Sequence, residues 1–210
     1  MSADTNAGAG GPDDVLLALR TATAAVHDAL ERELDLLRPD LTLDEYATVL
    51  ARMAAFYAPL ERRIHGLPDL AAQVPALTAR RKLPLLERDL RALAARGVAW
   101  SAGDHVPDAL LPCVDAVPTA LGCLYVLEGA TLGGRVIAPH LARCLGLSAT
   151  DGAAFHAGYG DATGRMWRGM QGALRAAGHG AARTAMIAAA TTTFAGLAAW
   201  CAARQPTHPP

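Results

Sequence analysis

The sequence predicts an all-α domain, and three observations carry that expectation. Apolar residues make up 52% of the chain and aromatics only 5%, so the core must be built mainly from Ala, Leu and Val, a composition that favours helix. Hydrophobic positions recur at three- and four-residue spacing in one segment after another. No stretch alternates apolar and polar residues long enough to be a strand. The 210 residues suit one domain large enough to bury a real core. It is expected to hold about seven or eight helices over 13–204, between a flexible tail over 1–12 and a short tail over 205–210.

Charge and cysteine usage narrow the function classes. A net charge of -1 and a pI near 6.6 leave no electrostatic footprint for nucleic acid. Cys113, Cys123, Cys144 and Cys201 are scattered, with neither a C-x-x-C pair nor the density of a disulfide scaffold. They read as reduced packing residues, which points to the cytoplasm. The first twelve residues lack a basic n-region and an apolar h-region, so no secretory signal is expected there.

Asp13 and Asp14 open the first helix, where acidic side chains suit capping and the macrodipole. Leu16, Leu19, Val26, Leu30 and Leu34 form its core stripe. Thr42-Leu-Asp-Glu45 is a capping box for the second helix, whose apolar series runs from Leu43 to Tyr57 until Pro59 kinks or ends it. A loop with Pro68 and Pro75 follows, and the cluster Arg80-Arg81-Lys82 reads as a solvated face. Pro84 to Arg96 is the third clear helix, closed by Gly97. After a Gly- and Pro-containing connection comes a glycine-interrupted helix around Gly122–Gly134. Arg135 to Leu145 continues it, bent at Pro139 and stopped at Gly146. Asp151 to Ala177 reads as one glycine-rich helical region. Ala181 to Ala203 is a final, almost uncharged helix. Its length would span a bilayer, but Ala, Thr and Gly dominate it, so a buried core helix is expected and no membrane role.

Two stretches stand out chemically. Beside the core stripe of the first helix, Arg20, Ala24, His27 and Glu31 fall within a sector of roughly 60°. A cation, a small residue, an imidazole and a carboxylate thus share one edge. A His in that position is more often a hydrogen-bonded structural residue than a metal ligand. A carboxylate one turn later can instead hold its tautomer, as the partners of metal-bound His do. In the second stretch, Gly129, Gly133 and Gly134 each cost about 1 kcal/mol relative to Ala inside a helix, while Gly122 reads as a packing glycine. Either tight helix packing or close approach of the backbone to a flat ligand would offset that.

Leu19-Arg-Thr-Ala-Thr-Ala-Ala-Val-His27-Asp-Ala-Leu-Glu31, followed about a hundred residues later by Tyr125-Val-Leu-Glu-Gly129-Ala-Thr-Leu-Gly-Gly134, resembles the haem oxygenases. Among these it is most similar to the bacterial branch that supplies biliverdin to bacteriophytochromes. The resemblance runs in helix order from about Leu16 to Trp200. It implies that His27 is the proximal ligand of haem iron, supported by Glu31, and that Arg20 pairs with a propionate while Ala24 lies on the same haem face. It further implies that Gly129, Gly133 and Gly134 let the distal backbone press on the porphyrin, with Tyr125 and Arg168 as haem-edge contacts. Neutral imidazole ligation, unlike thiolate, does not push toward O–O cleavage. In many relatives the residue after the first distal Gly is Asp; here it is Ala130, so water or backbone would have to supply the polar network.

The implied activity is oxidative cleavage of haem to biliverdin, carbon monoxide and ferrous iron. Dioxygen is the implied co-substrate, and electrons come from an external ferredoxin or reductase. No nicotinamide or flavin fingerprint is present to make the chain its own donor. A non-catalytic haem sensor or carrier would share the binding residues. A thiaminase-like hydrolase with Cys123 as nucleophile, or a di-iron oxidase, would need another site, and the sequence lacks the Glu-x-x-His a di-iron centre uses.

Overall fold

In the computed structural model, which describes residues 14–101 and 105–203, the Asp14 side chain accepts the Leu16 N–H at 3.0 Å and starts α1 (Val15–Leu34). Asp13, both expected tails and the outer bounds of the expected domain lie outside the described residues. The capping box of α2 (Leu43–His65) forms as the sequence suggests. Glu45 N–H donates to Thr42 Oγ1 at 3.3 Å, and Glu45 Oε2 accepts the Thr42 N–H at 2.9 Å. Pro59 does not end this helix. Proline removes one donor, but Phe56, Tyr57, Leu60 and Ile64 around it are each at most 1% exposed, and their packing carries the helix through.

Next come α3 (Leu70–Gln73), a 3-10 turn at Leu77–Arg80 and α4 (Leu83–Ala95), with Pro84 in its first turn. The glycine-interrupted helix proves to be one continuous helix, α5 (Val117–Leu145), stopped by Gly146 at φ 64°. Its interior glycines change what it can touch rather than whether it forms. The region expected as one helix over 151–177 is two: α6 (Ala154–Ala157) and α7 (Thr163–Ala177). Gly158 and Gly160, with φ of 56° and 54°, take the left-handed backbone that separates them. The chain closes with α8 (Gly180–Ala202). Among the described residues there are thus eight α-helices and no strand.

The long apolar helices α5 and α8 both have the length and composition to cross a bilayer. The fold uses them as core, packing α8 against both α1 and α5, α2 against α4, and α6 and α7 against α5. Where α5 crosses α8, a Cβ on Gly122 would lie 2.2 Å from the Met186 carbonyl oxygen, so this glycine serves close helix approach. Arg52 donates to the Trp200 and Cys201 carbonyls at 2.8 and 2.7 Å, closing the carbonyl end of α8, and Trp200 Nε1–H returns to the Arg52 carbonyl at 3.0 Å.

The cluster expected on a solvated face is instead split between outside and inside. Arg81 is exposed, but Arg80 and Lys82 are 1% and 0% exposed. Both converge on Glu128 of α5, itself 1% exposed. Arg80 pairs with Oε2, while Lys82 Nζ lies 2.7 Å from Oε1. Tyr159 donates to the same Oε1 at 2.6 Å and accepts from Lys82 Nζ at 2.6 Å. Arg80 also donates to the Pro75 and Met166 carbonyls at 2.8 and 3.0 Å. Burial pushes the Lys82 ammonium down, and Glu128 pulls it back up.

Two further buried carboxylates hold helix starts from a distance. Glu61 of α2 accepts the Lys82 and Leu83 N–H groups at the head of α4. Asp89 of α4 accepts the Ala154 and Phe155 N–H groups at 2.7 and 2.8 Å at the head of α6. Burial raises the pKa of both carboxyls, opposed by these amide bonds. Replacing Glu128 by Ala strands two buried cations, and urea titration should show a loss of about 3–5 kcal/mol. A loss under about 1 kcal/mol would mean that water reaches the cluster and screens it.

Candidate functional site

Between α1, α5 and α8 lies a cavity of about 640 Å³, within the range of small-molecule and cofactor sites. The α1 wall follows from its second stripe: Arg20, Ala24, His27 and Glu31 all line it, as the helical spacing predicts. The core stripe turns Leu19 inward to 0% exposure, leaving the neighbouring stripe at the cavity edge. The His27 side chain is 47% exposed, with Nε2 3.8 Å from Glu31 Oε1 and Nδ1 3.9 Å from Asp28 Oδ1. Both separations exceed hydrogen-bonding distance. Phe194 of α8 meets the ring edge-on, with centroids 5.3 Å apart. The imidazole is therefore oriented by an aromatic neighbour and its nitrogens stay open to a ligand. Glu31 stands near enough to engage the ring once it settles.

The facing wall is α5, and its glycines divide into two kinds. A Cβ built on Gly129 or Gly133 would meet nothing within 4 Å, and both positions line the cavity. These are the places where the absent side chains widen the slot. Gly134, expected beside them, faces the other way: its Cβ would lie 2.1 Å from the His156 carbonyl oxygen. It is a packing glycine, because at 100° per residue its neighbour Gly133 takes the cavity side. Tyr125 and Ala130 line the cavity, and Tyr125 leans on Trp167 of α7 with centroids 6.1 Å apart. Burial pushes the Tyr125 phenol up while Thr23 and Arg20 draw it down. Arg168 does not line the cavity. It is exposed on α7, with its guanidinium turned back toward Gly164.

Sequence reasoning missed several parts of the wall. Met53 and Tyr57 of α2, Phe155 and His156 of α6, and Phe194 and Leu197 of α8 all contribute. Most are apolar residues indistinguishable by pattern from core. His156 is different, being 4% exposed, and among the described residues neither ring nitrogen has a hydrogen-bond partner. Burial pushes its pKa down to about 3, so the ring is neutral at physiological pH. Its signal in the sequence was a lone imidazole in the otherwise uncharged run Ala153–Tyr159.

Cys123 is no candidate nucleophile. It is 0% exposed, accepts a bond from Thr193 Oγ1 at 3.4 Å, and burial raises its thiol to about 11. A thiaminase-like reading loses its only residue there.

Comparisons with known proteins bear on the family and the fold. The family model described as heme oxygenase matches residues 13–203. A heme oxygenase of Xanthomonas campestris pv. campestris is 36% identical over 96 residues, which are 45% of this chain and 52% of that protein. The aligned stretch thus spans about half the length of that relative. The NO- and CO-bound heme oxygenase from Neisseria meningitidis superposes with a TM-score of 0.74 at 24% identity, over 90% of each chain. Heme oxygenase from Leptospira interrogans gives 0.71 at 17% identity, over 90% of this chain and 98% of that one. At these identities the two structures speak to the fold.

Two outcomes test the described wall. Gly129→Ala should leave stability unchanged or raise it by up to about 1 kcal/mol, whereas Gly134→Ala should cost about 1–3 kcal/mol in the same denaturant titration. Equal effects would mean that the two glycines face similar surroundings. The second outcome concerns pH. The folded pKa of His156 lies below its ordinary value, so between pH 6.5 and about 3 the unfolded chain binds a proton that the folded chain refuses. This stability is complete above pH 6.5 and falls with pH by up to about 1.4 kcal/mol per unit. In His156→Phe that component of the pH dependence should vanish.

Proposed function

The chain belongs to the heme oxygenase family, and from that premise we propose that it cleaves haem to biliverdin, carbon monoxide and ferrous iron. Dioxygen is the co-substrate, and a separate protein, a ferredoxin or a reductase, supplies the electrons. One observation carries the reading: a single open imidazole stands on one wall of an apolar slot, and the facing helix presents two positions without side chains.

The residues fit haem in kind. When bound, haem supplies both the redox-active iron and the porphyrin carbon that is oxidised. His27 offers a nitrogen of its half-exposed ring for iron, and imidazole ligation adds no thiolate push. Glu31, one turn on, can take the other ring N–H and fix the tautomer. Arg20 lines the cavity yet is itself exposed, so its guanidinium would be available to hold a haem propionate. Tyr125 offers a polar contact along the same edge.

Gly129 and Gly133 leave the space in which the α5 backbone would approach bound haem, and Ala130 keeps that surface small and apolar. Leu30, Met53, Val126, Ile137 and Phe155 exclude bulk water, which protects a reactive site from side reactions. The cysteines Cys113, Cys123, Cys144 and Cys201 are all unpaired, in keeping with a reducing, cytoplasmic setting. A bilin-binding photoreceptor such as a bacteriophytochrome is the consumer that the sequence resemblance favours.

Hemin added to the purified protein should give a Soret band. With ascorbate or a ferredoxin system that band should decay into biliverdin absorption, and carbon monoxide should be released. A band that persists through reductant and oxygen would leave a haem carrier rather than an oxygenase. His27→Ala should remove the histidine-ligated spectrum. Gly133→Leu should keep the fold but bind hemin roughly 10-fold more weakly or worse, because the added side chain takes the space the ring needs.

A further inference from the structure

The sequence suggests four packing cysteines, but Cys144 stands on the surface beside a base. It lies in the last turn of α5, is exposed, and its thiol is free. His140, one turn earlier on the same face, is only 8% exposed. The Cys144 sulfur lies 3.7 Å from His140 Nδ1, within reach of a sulfur hydrogen bond. On the other side of the ring, His140 Nε2 lies 3.1 Å from the carbonyl oxygen of Arg38, in the connection between α1 and α2. Neither His140 nor Cys144 lines the cavity between α1, α5 and α8, so this cluster is separate from the site described above.

The Arg38 carbonyl decides where the ring proton sits. A carbonyl oxygen only accepts, so Nε2 carries the hydrogen, and the neutral ring then turns its Nδ1 lone pair toward the thiol. Cys144 must be the donor in that contact. A nucleophile, a base within reach and a third group that orients the base together form the arrangement that activates a side chain for attack. The helix end bears on it too. Its dipole favours an imidazolium and opposes a lone thiolate, so the thiolate draws its support from the imidazolium beside it. The other cysteines lack one part or another. Cys123 is fully buried, and burial pushes the Cys201 thiol up to about 12. Cys113 is exposed, but among the described residues it has no imidazole partner.

We propose that Cys144 is a modification site whose thiol exchanges with low-molecular-weight disulfides, with His140 as its base. The thiol proton passes to His140 Nδ1, and the sulfur attacks one sulfur of the incoming disulfide. A new S–S bond joins Cys144 to that half, the disulfide's own S–S bond breaks, and the departing thiolate recovers the proton from the imidazolium. Cys144 is oxidised to the mixed disulfide and the leaving half is reduced to a thiol, so no further oxidant is needed. The Arg38 carbonyl accepts the Nε2 hydrogen in both protonation states and keeps the ring in place throughout. None of these steps involves haem.

Glutathione disulfide is the probe, added to the folded chain without hemin, and peptide mass spectrometry locates the adducts over time. Cys144 should acquire glutathione roughly 10-fold faster than Cys113, and dithiothreitol should remove it. In urea the two should react at similar rates, because the imidazole contact is then gone. His140→Gln keeps an amide N–H for the Arg38 carbonyl but supplies no base, so it should bring the Cys144 rate down to about that of Cys113. Equal rates at Cys144 and Cys113 in the folded wild type overturn the proposal, a result that needs no variant to fold. A Cys144 rate in His140→Gln that matches wild type overturns it as well. So does a difference between the two cysteines that survives in urea, since it would belong to the local sequence and not to the fold.

Discussion

The cavity depends on an ionic knot behind it. Glu128 immediately precedes Gly129, and at 1% exposure its carboxylate must find compensation inside the protein. Arg80, Lys82 and Tyr159 provide it from two other parts of the chain, and Glu61 and the Pro75 and Met166 carbonyls complete the set. Such a cluster adds little net stability against an apolar alternative, but breaking it is expensive. Its effect is positional: it fixes the depth and rotation of α5 one residue before the helix surface becomes bare.

That fixed rotation explains the division among the glycines. The glycine positions themselves resist rotation of the helix less than side chains would, so its orientation is set by what α5 buries on its other faces. With Glu128 held on the back, Gly133 faces the slot and Gly134 meets α6. Gly122, about three turns earlier, rests on α8. Each glycine therefore does one job, and the job follows from the angle it makes with the buried carboxylate.

The α1 wall was legible in the sequence because a periodic pattern suffices when core and site share a helix. Leu19 and Leu30 mark the inward side, and Arg20, Ala24, His27 and Glu31 must then lie beside it. The capping box at Thr42 and the stop at Gly146 were legible for a similar reason, since both depend on neighbours within a few residues. What stayed hidden depends on contacts distant in sequence. Arg80 and Lys82 look like surface cations until Glu128, more than forty positions away, is brought to them. Pro59 looks like a stop until packing around Phe56 and Leu60 outweighs one lost bond. Gly134 looks like its neighbours until α6 folds against it, and His156 has no signature apart from standing alone among apolar residues.

The two walls that would grip a ligand make little direct contact with each other; α1 and α5 each lean instead on α8. The width of the slot is therefore a property of a third helix, one that lends only Phe194 and Leu197 to its lining. Small side chains along α8, largely Ala and Thr, act as shims whose thickness spaces the jaws. Exchanging them would tune how wide a ring the slot admits without altering any residue that lines it. Specificity for ligand thickness is in this sense written in a part of the chain that a search for binding residues would pass over.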